Sequence, residues 1–132
     1  MRVNMVNNKH ILETHTAIAW YEEPVLFVEC RPNAIITLDD AVDHVERSLE
    51  ILPEGNFTQL IDMRKLKSIS REARVYYSRD SSKSHCKAVA LLVKSPLSRV
   101  IANFFLGINK PNKPIKLFTK RDSAIHWLKA HI

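Results

Sequence analysis

At 132 residues, the chain has the length of one domain, residues 1–132, and can bury a real core without disulfide or metal staples. With 45% hydrophobic and 26% charged residues, it is neither disordered nor membrane-embedded by composition, and no stretch approaches the roughly 20 apolar residues of a transmembrane helix. The formal charge of +6 invites a nucleic-acid or acidic-membrane partner only if the cations are gathered with the right companions.

MRVNMVNNKH lacks the apolar segment of a signal peptide, so the cytoplasm is the expected location. Met1 to Lys9 reads as a frayed leader or short edge strand. Ile11 to Trp20 is strand-like, with Thr14, Thr16, Ile18 and Trp20 on one face and His15, Ala17 and Ala19 on the other. A turn follows through Tyr21 to Pro24, whose fixed φ and missing donor delay re-entry into the sheet until VLFVEC. The two strands make an antiparallel hairpin. Val25 to Val28 is apolar on both faces and belongs further inside the sheet.

Thr37 is the expected N-cap of a first helix, with Asp39 and Asp40 in its positive first turn. Leu38, Ala41, Val42, Val45, Leu49 and Leu52 recur at helical spacing and predict a buried stripe, leaving Asp43, Glu46, Arg47 and Glu50 outside. Pro53 and Gly55 stop the helix and FTQLID, Phe57 to Asp62, is the next strand. MRKLKSIS is a basic loop ending in a second N-cap, Ser70, ahead of a helix over Arg71 to Arg79. CKAVALLVK, Cys86 to Lys94, is the organising stretch: six consecutive apolar residues without a polar face predict a strand covered on both sides. Ser95 then caps a third helix with Pro96 at its first position and Leu97, Val100, Ile101, Phe104, Phe105 and Ile108 on one face. NKPNKP is a rigid basic turn, Ile115 to Phe118 a last short strand, and Thr119 the cap of a terminal helix with Ala124, Ile125, Trp127 and Leu128.

The order β-β-α-β-α-β-α-β-α predicts an α/β domain with a mostly parallel five-stranded sheet, an antiparallel first hairpin and about four flanking helices. Together with NFFLGINKPNKPIKLFTKRDSAIHWL, this order resembles the STAS superfamily, and within it the bacterial STAS/Sec14-like, SpoIIAA-like relatives. The resemblance runs from about Thr14 to the end. It implies a small regulatory or ligand-sensing module that binds protein partners, nucleotides or lipids, without catalysis of its own. The phosphorylation-switched members carry a serine in the loop that opens the helix after the third strand. Here Asp62 is similar to the aspartate ending that strand, but MRKLKSISRE departs from the Asp-Ser-Ser-Gly pattern, and the usual serine position falls near Glu72. Ser68 and Ser70 are the nearest hydroxyls, so Asp62, Ser68, Ser70 and Glu72 define a candidate regulatory loop, with Glu72 in place of a modified serine.

Ligands of open α/β sheets sit outside the carboxyl ends of the strands. There Arg64, Lys65, Lys67, Ser70, Lys94, Ser95, Thr119, Lys120 and Arg121 would form an anion-binding rim around three helix N-termini; the plainer alternative is ordinary caps with solvated cations. Tyr76, Tyr77, Phe104, Phe105 and Trp127 would line an apolar pocket, core packing being the commoner fate of such residues. Asp62 has no acidic companions for a hard cation and reads as a structural strand-end carboxylate. His85 and Cys86, neighbours on a strand, point to opposite faces and form no nucleophilic dyad. Cys30 and Cys86 form no Cys-x-x-Cys or Cys/His ligand spacing, and His126 and His131 no ligand pair, so neither metal nor cofactor is expected.

Charge distribution decides the partner class. Residues 1–62 carry 4 Lys or Arg against 11 Asp or Glu, and residues 63–132 carry 16 against 3. A chain so polarised folds acidic elements against its own basic ones or offers complementary faces to a second copy. Neither a single-strand motif nor a DNA-reading helix accompanies the lysines, which sets nucleic acid aside. The expected function is a non-enzymatic regulatory or protein-interaction module, a homodimer or the partner of another regulatory protein. The alternative is a module for a small anionic or lipid ligand.

Overall fold

Cys86 to Leu92 pairs on both sides and buries every side chain except Lys87, as an apolar run with no polar face requires. The structure, a computed structural model, describes residues 3–6, 9–79, 85–95 and 113–132. In chain order their elements are β1 (Val3–Val6), β2 (Lys9–Glu13), β3 (Ala17–Glu22), β4 (Val25–Cys30), β5 (Ile35–Ile36), α1 (Leu38–Ser48), β6 (Phe57–Asp62), β7 (Ser68–Ile69), α2 (Arg71–Arg79), β8 (Cys86–Leu92), β9 (Ile115–Phe118) and α3 (Arg121–Lys129).

The main sheet has seven strands in the order β1-β2-β3-β4-β6-β8-β9. Its first four strands pair antiparallel, and β4, β6, β8 and β9 pair parallel. The five expected strands are present as β3, β4, β6, β8 and β9, and the sheet is two strands wider than expected. The stretch read as one strand from Ile11 to Trp20 is two. Thr14 breaks it: its buried hydroxyl oxygen accepts from Ala17 N at 3.0 Å and Thr16 N at 3.4 Å, so the chain turns back and β2 pairs with β3. The leader becomes the edge strand β1, paired with β2 from Val3 opposite Leu12 to Val6 opposite Lys9.

Alternation along β4 and β8 divides the core. Leu26, Val28, Cys30, Val89, Leu91 and Val93 join a cluster with Ala41 and Ile51 of the α1 region and Ala73 of α2. Val25, Phe27, Ala88, Ala90 and Leu92 join the opposite cluster with Ala124 and Leu128 of α3. Thus α1 and α2 cover one face and α3 the other.

Thr37 caps α1 with a reciprocal box: its hydroxyl accepts from Asp40 N at 3.3 Å, and the Asp40 carboxylate accepts from Thr37 N at 3.0 Å. The buried arc of α1 is Ala41, His44, Val45 and Ser48, so the predicted stripe is rotated. Leu38 and Leu49, expected inside, are 40% and 45% exposed, because α1 ends at Ser48 and the sheet-facing arc is centred away from them. A second correction concerns α3, whose N-cap is Lys120, without a side-chain cap bond, rather than Thr119. Three helices occur among the described residues. The predicted third helix from Pro96, with Phe104 and Phe105, lies outside them.

Candidate functional site

Four parallel strands, β4, β6, β8 and β9, have their carboxyl ends at one end of the sheet, and β6 ends there on Asp62, in register between Glu29 of β4 and Leu92 of β8. The Asp62 side chain is 10% exposed and Arg64 folds back onto it. Its carboxylate accepts from Arg64 Nε at 2.9 Å, Nη2 at 2.7 Å and the Arg64 backbone N at 3.1 Å. Burial by itself raises the Asp62 pKa, but the hydrogen bonds and charge of Arg64, with the charge of Arg121, outweigh it and hold the carboxyl below its ordinary range.

The loop beyond is tied to the segment before α1. Asn33, with a left-handed φ of 61°, donates its N–H to Lys65 O at 2.8 Å, and Lys67 N and Ser70 N donate to Ala34 O at 3.0 Å and Ile36 O at 2.9 Å. Ile35–Ile36 and Ser68–Ile69 form a small parallel ribbon. Anchored at these points, the loop directs Lys65, Lys67 and Ser68 to solvent. Ser70 caps α2, its Oγ accepting from Ala73 N at 3.1 Å, and Glu72 is exposed in the first turn. Of the candidate regulatory loop, Asp62 and Ser70 are thus engaged in structure, while Ser68 and Glu72 face outward.

The candidate anion rim is divided in the same way. Arg64 is bound to Asp62, and the Arg121 guanidinium lies 4.9 Å from the Phe27 ring centre. Phe27 in turn stacks on Trp20 at 5.4 Å, so Arg121 continues an aromatic stack on the α3 face. Lys65, Lys67, Lys94, Ser95, Thr119 and Lys120 are exposed. Of the candidate apolar pocket, Phe104 and Phe105 lie outside the described residues, and the other three are kept apart: Tyr76 and Tyr77 pack on the cluster of the α1/α2 face, and Trp127 packs on the opposite cluster. The sheet stands between them.

Neither Cys30 nor Cys86 is in a disulfide, and both are buried. Burial, then the charges of Asp62 and Glu29, push the Cys30 thiol up to about 12, which opposes thiolate formation. His85, in the turn before β8, is exposed, and Cys86, the first residue of that strand, is buried. His131 Nδ1 lies 2.9 Å from Trp127 O. Among the described residues, no group of three His, Cys, Asp or Glu side chains is placed to hold a metal ion, and no helix is long and apolar enough to cross a membrane.

Sequence reasoning placed Asp43, Glu46 and Glu50 outside but missed the exposed apolar side chains that stand beside them on the outer surface of α1. Opposite its buried arc run Asp39, Asp43 and Glu46, continued by Glu50, with Asp43 bound to Arg47 at 2.6 Å. Beside this acidic ridge stand the exposed Leu38 and Leu49, and Ile35 is 53% exposed just before the helix. The available signal was the unbroken i, i+4, i+7 acidic spacing, which fixes the outward direction better than the leucines fix the inward one.

A model of the domain of unknown function DUF7793 matches residues 19–132. No curated protein matches the chain. Among solved structures, an uncharacterized protein of the DUF3478 family with a SpoIIAA-like fold, from Shewanella loihica PV-4, is 19% identical over 91% of each chain, with a TM-score of 0.54. The fold is therefore SpoIIAA-like.

Proposed function

We propose, on the premise that the chain belongs to the DUF7793 family of unknown function, that it is a non-enzymatic interaction module of STAS type that associates with a second copy of itself. One observation carries this reading: three large hydrophobic side chains, Ile35, Leu38 and Leu49, stand exposed along an acidic ridge, in a protein whose remaining half is strongly basic. Apolar side chains beside charges of one sign suit a partner bringing the opposite sign. The non-enzymatic part is supported by the occupation of the nearest chemical groups: the Asp62 carboxylate is held by Arg64 and both thiols are buried. Its setting is an expected cytoplasmic one.

A second reading, a small anionic or lipid ligand at the carboxyl ends of the strands, draws on the exposed Lys94 and Lys120 and on the missing side-chain cap at α3. Native mass spectrometry of freshly purified protein, at about 50 and about 500 mM ionic strength, separates the two, because the screening length falls severalfold between them. A dimer of bare mass that weakens at the higher strength is expected. A monomer at both strengths overturns self-association, and a monomer carrying a fixed extra mass supports the ligand reading in its place.

A further inference from the structure

The acidic ridge has a basic neighbour. Helices α1 and α2 pack together on one face of the sheet. Each returns the chain from one parallel strand to the next, β4 to β6 and β6 to β8, so the two helices run in the same direction. Opposite the buried Ala73, α2 exposes Arg71 and Arg79, with Val75 half-buried between them and Glu72 its lone acid. One outer layer therefore presents a negative ridge and a positive ridge side by side. Their spacings agree: seven residues separate Asp39 from Glu46 and eight separate Arg71 from Arg79, about 10.5 and 12 Å along an α-helix.

We propose that a second copy docks on this face about a two-fold axis parallel to the helices, so that α1 of each copy lies over α2 of the other. This deepens the self-association just proposed and rests on it. A two-fold axis in the contact plane has two simple settings. Turned across the helices, it stacks α1 on α1 and sets acid on acid. Laid along them, it stacks α1 on α2, keeps all four helices running the same way, and brings Asp39 to the partner's Arg71 and Glu46 to the partner's Arg79. Symmetry makes each pairing twice. Ile35, Leu38 and Leu49 border these pairs and supply apolar area that the monomer leaves in water. Charge sets the register and orientation of such a contact, and apolar burial its strength.

The experiment is charge-swap complementation in the full chain, read by native mass spectrometry or light scattering at low salt. One variant carries Asp39→Lys and Glu46→Lys, the other Arg71→Glu and Arg79→Glu; all four positions are exposed, and circular dichroism checks that each variant folds. Each variant alone places like charges on both helix pairs, so its dimer should dissociate at least about tenfold more readily than the wild type. Mixed one to one, the variants regain opposite charges at both pairs and should form a heterodimer; a chain carrying all four changes should recover its homodimer. A mixture that stays monomeric while the wild type dimerises in a salt-sensitive way overturns the α1-on-α2 pairing and leaves self-association standing. A reversal that leaves the dimer intact also overturns the pairing. A wild type that is monomeric at low salt removes self-association itself.

Discussion

Replacing Asp62 with Asn should cost stability only where the carboxylate is charged. Asp62 accepts three hydrogen bonds from Arg64 and its side chain is 10% exposed. A hydrogen bond to a charged group is worth about 1.5–3 kcal/mol. The carboxamide keeps an acceptor for the Arg64 N–H, and the Arg64 side chain is 42% exposed, so released guanidinium donors return to water. Discounted for that screening, the loss is about 1–2 kcal/mol at neutral pH, or roughly 3–8 °C in Tm for a domain of this size. The sign with pH follows from a folded pKa below the ordinary 3.8. The unfolded chain then binds the proton first, so the contribution is fully present above the unfolded value and is lost as pH falls through the folded one. Urea unfolding of both proteins, from pH 7 to the lowest pH at which both stay folded, should show a gap that narrows with acid. A gap of constant size would mean that shape rather than charge holds the loop, and no gap at pH 7 would refute the lock outright.

Two further predictions concern local chemistry. With its thiol raised to about 12, Cys30 is ionised to roughly one part in ten thousand at pH 8, so iodoacetamide should leave it unmodified in the native protein and alkylate it in urea; alkylation within minutes under native conditions would contradict the burial described. Thr37→Ala should lose about 1 kcal/mol by removing one arm of the capping box, whereas Thr37→Ser should stay near the wild type; equal losses in urea melts would assign the effect to the methyl group instead.

The parallel half of the fold was legible because its signals are redundant. A six-residue apolar run, a strand ending at Asp62 and a helix bounded by Thr37 and Pro53 each admit few structures, and α2 occupies the predicted Arg71 to Arg79. Strand β1 was harder to read, since MRVNMVNNK has the polar composition of a leader and its place comes from backbone pairing with β2. Thr14 looked like one more β-branched strand residue; that its hydroxyl satisfies two N–H groups of a turn is a property of three-dimensional context. Leu38 and Leu49 misled because helical spacing specifies a stripe but not which stripe meets the sheet. At the candidate site, the cations of the rim could be counted in the sequence, but the commitment of Arg64 to Asp62 and of Arg121 to Phe27 could not.

The two halves of the sheet differ in how far the chain travels between paired strands, and that sets an order of assembly. Two or three residues separate each successive pair from β1 to β4, whereas more than twenty lie between β4 and β6, between β6 and β8, and between β8 and β9. Closing the longer connections costs about 2 kcal/mol more in chain entropy for each, and that cost falls before the α1 and α2 packing that offsets it. The antiparallel meander is therefore the natural nucleus, with β4 as the template on which β6 docks. During synthesis it also emerges first. Its strand β4, apolar on both faces, then waits with an open edge until residue 62 has been added, which makes that edge the most exposed point in the life of the nascent chain.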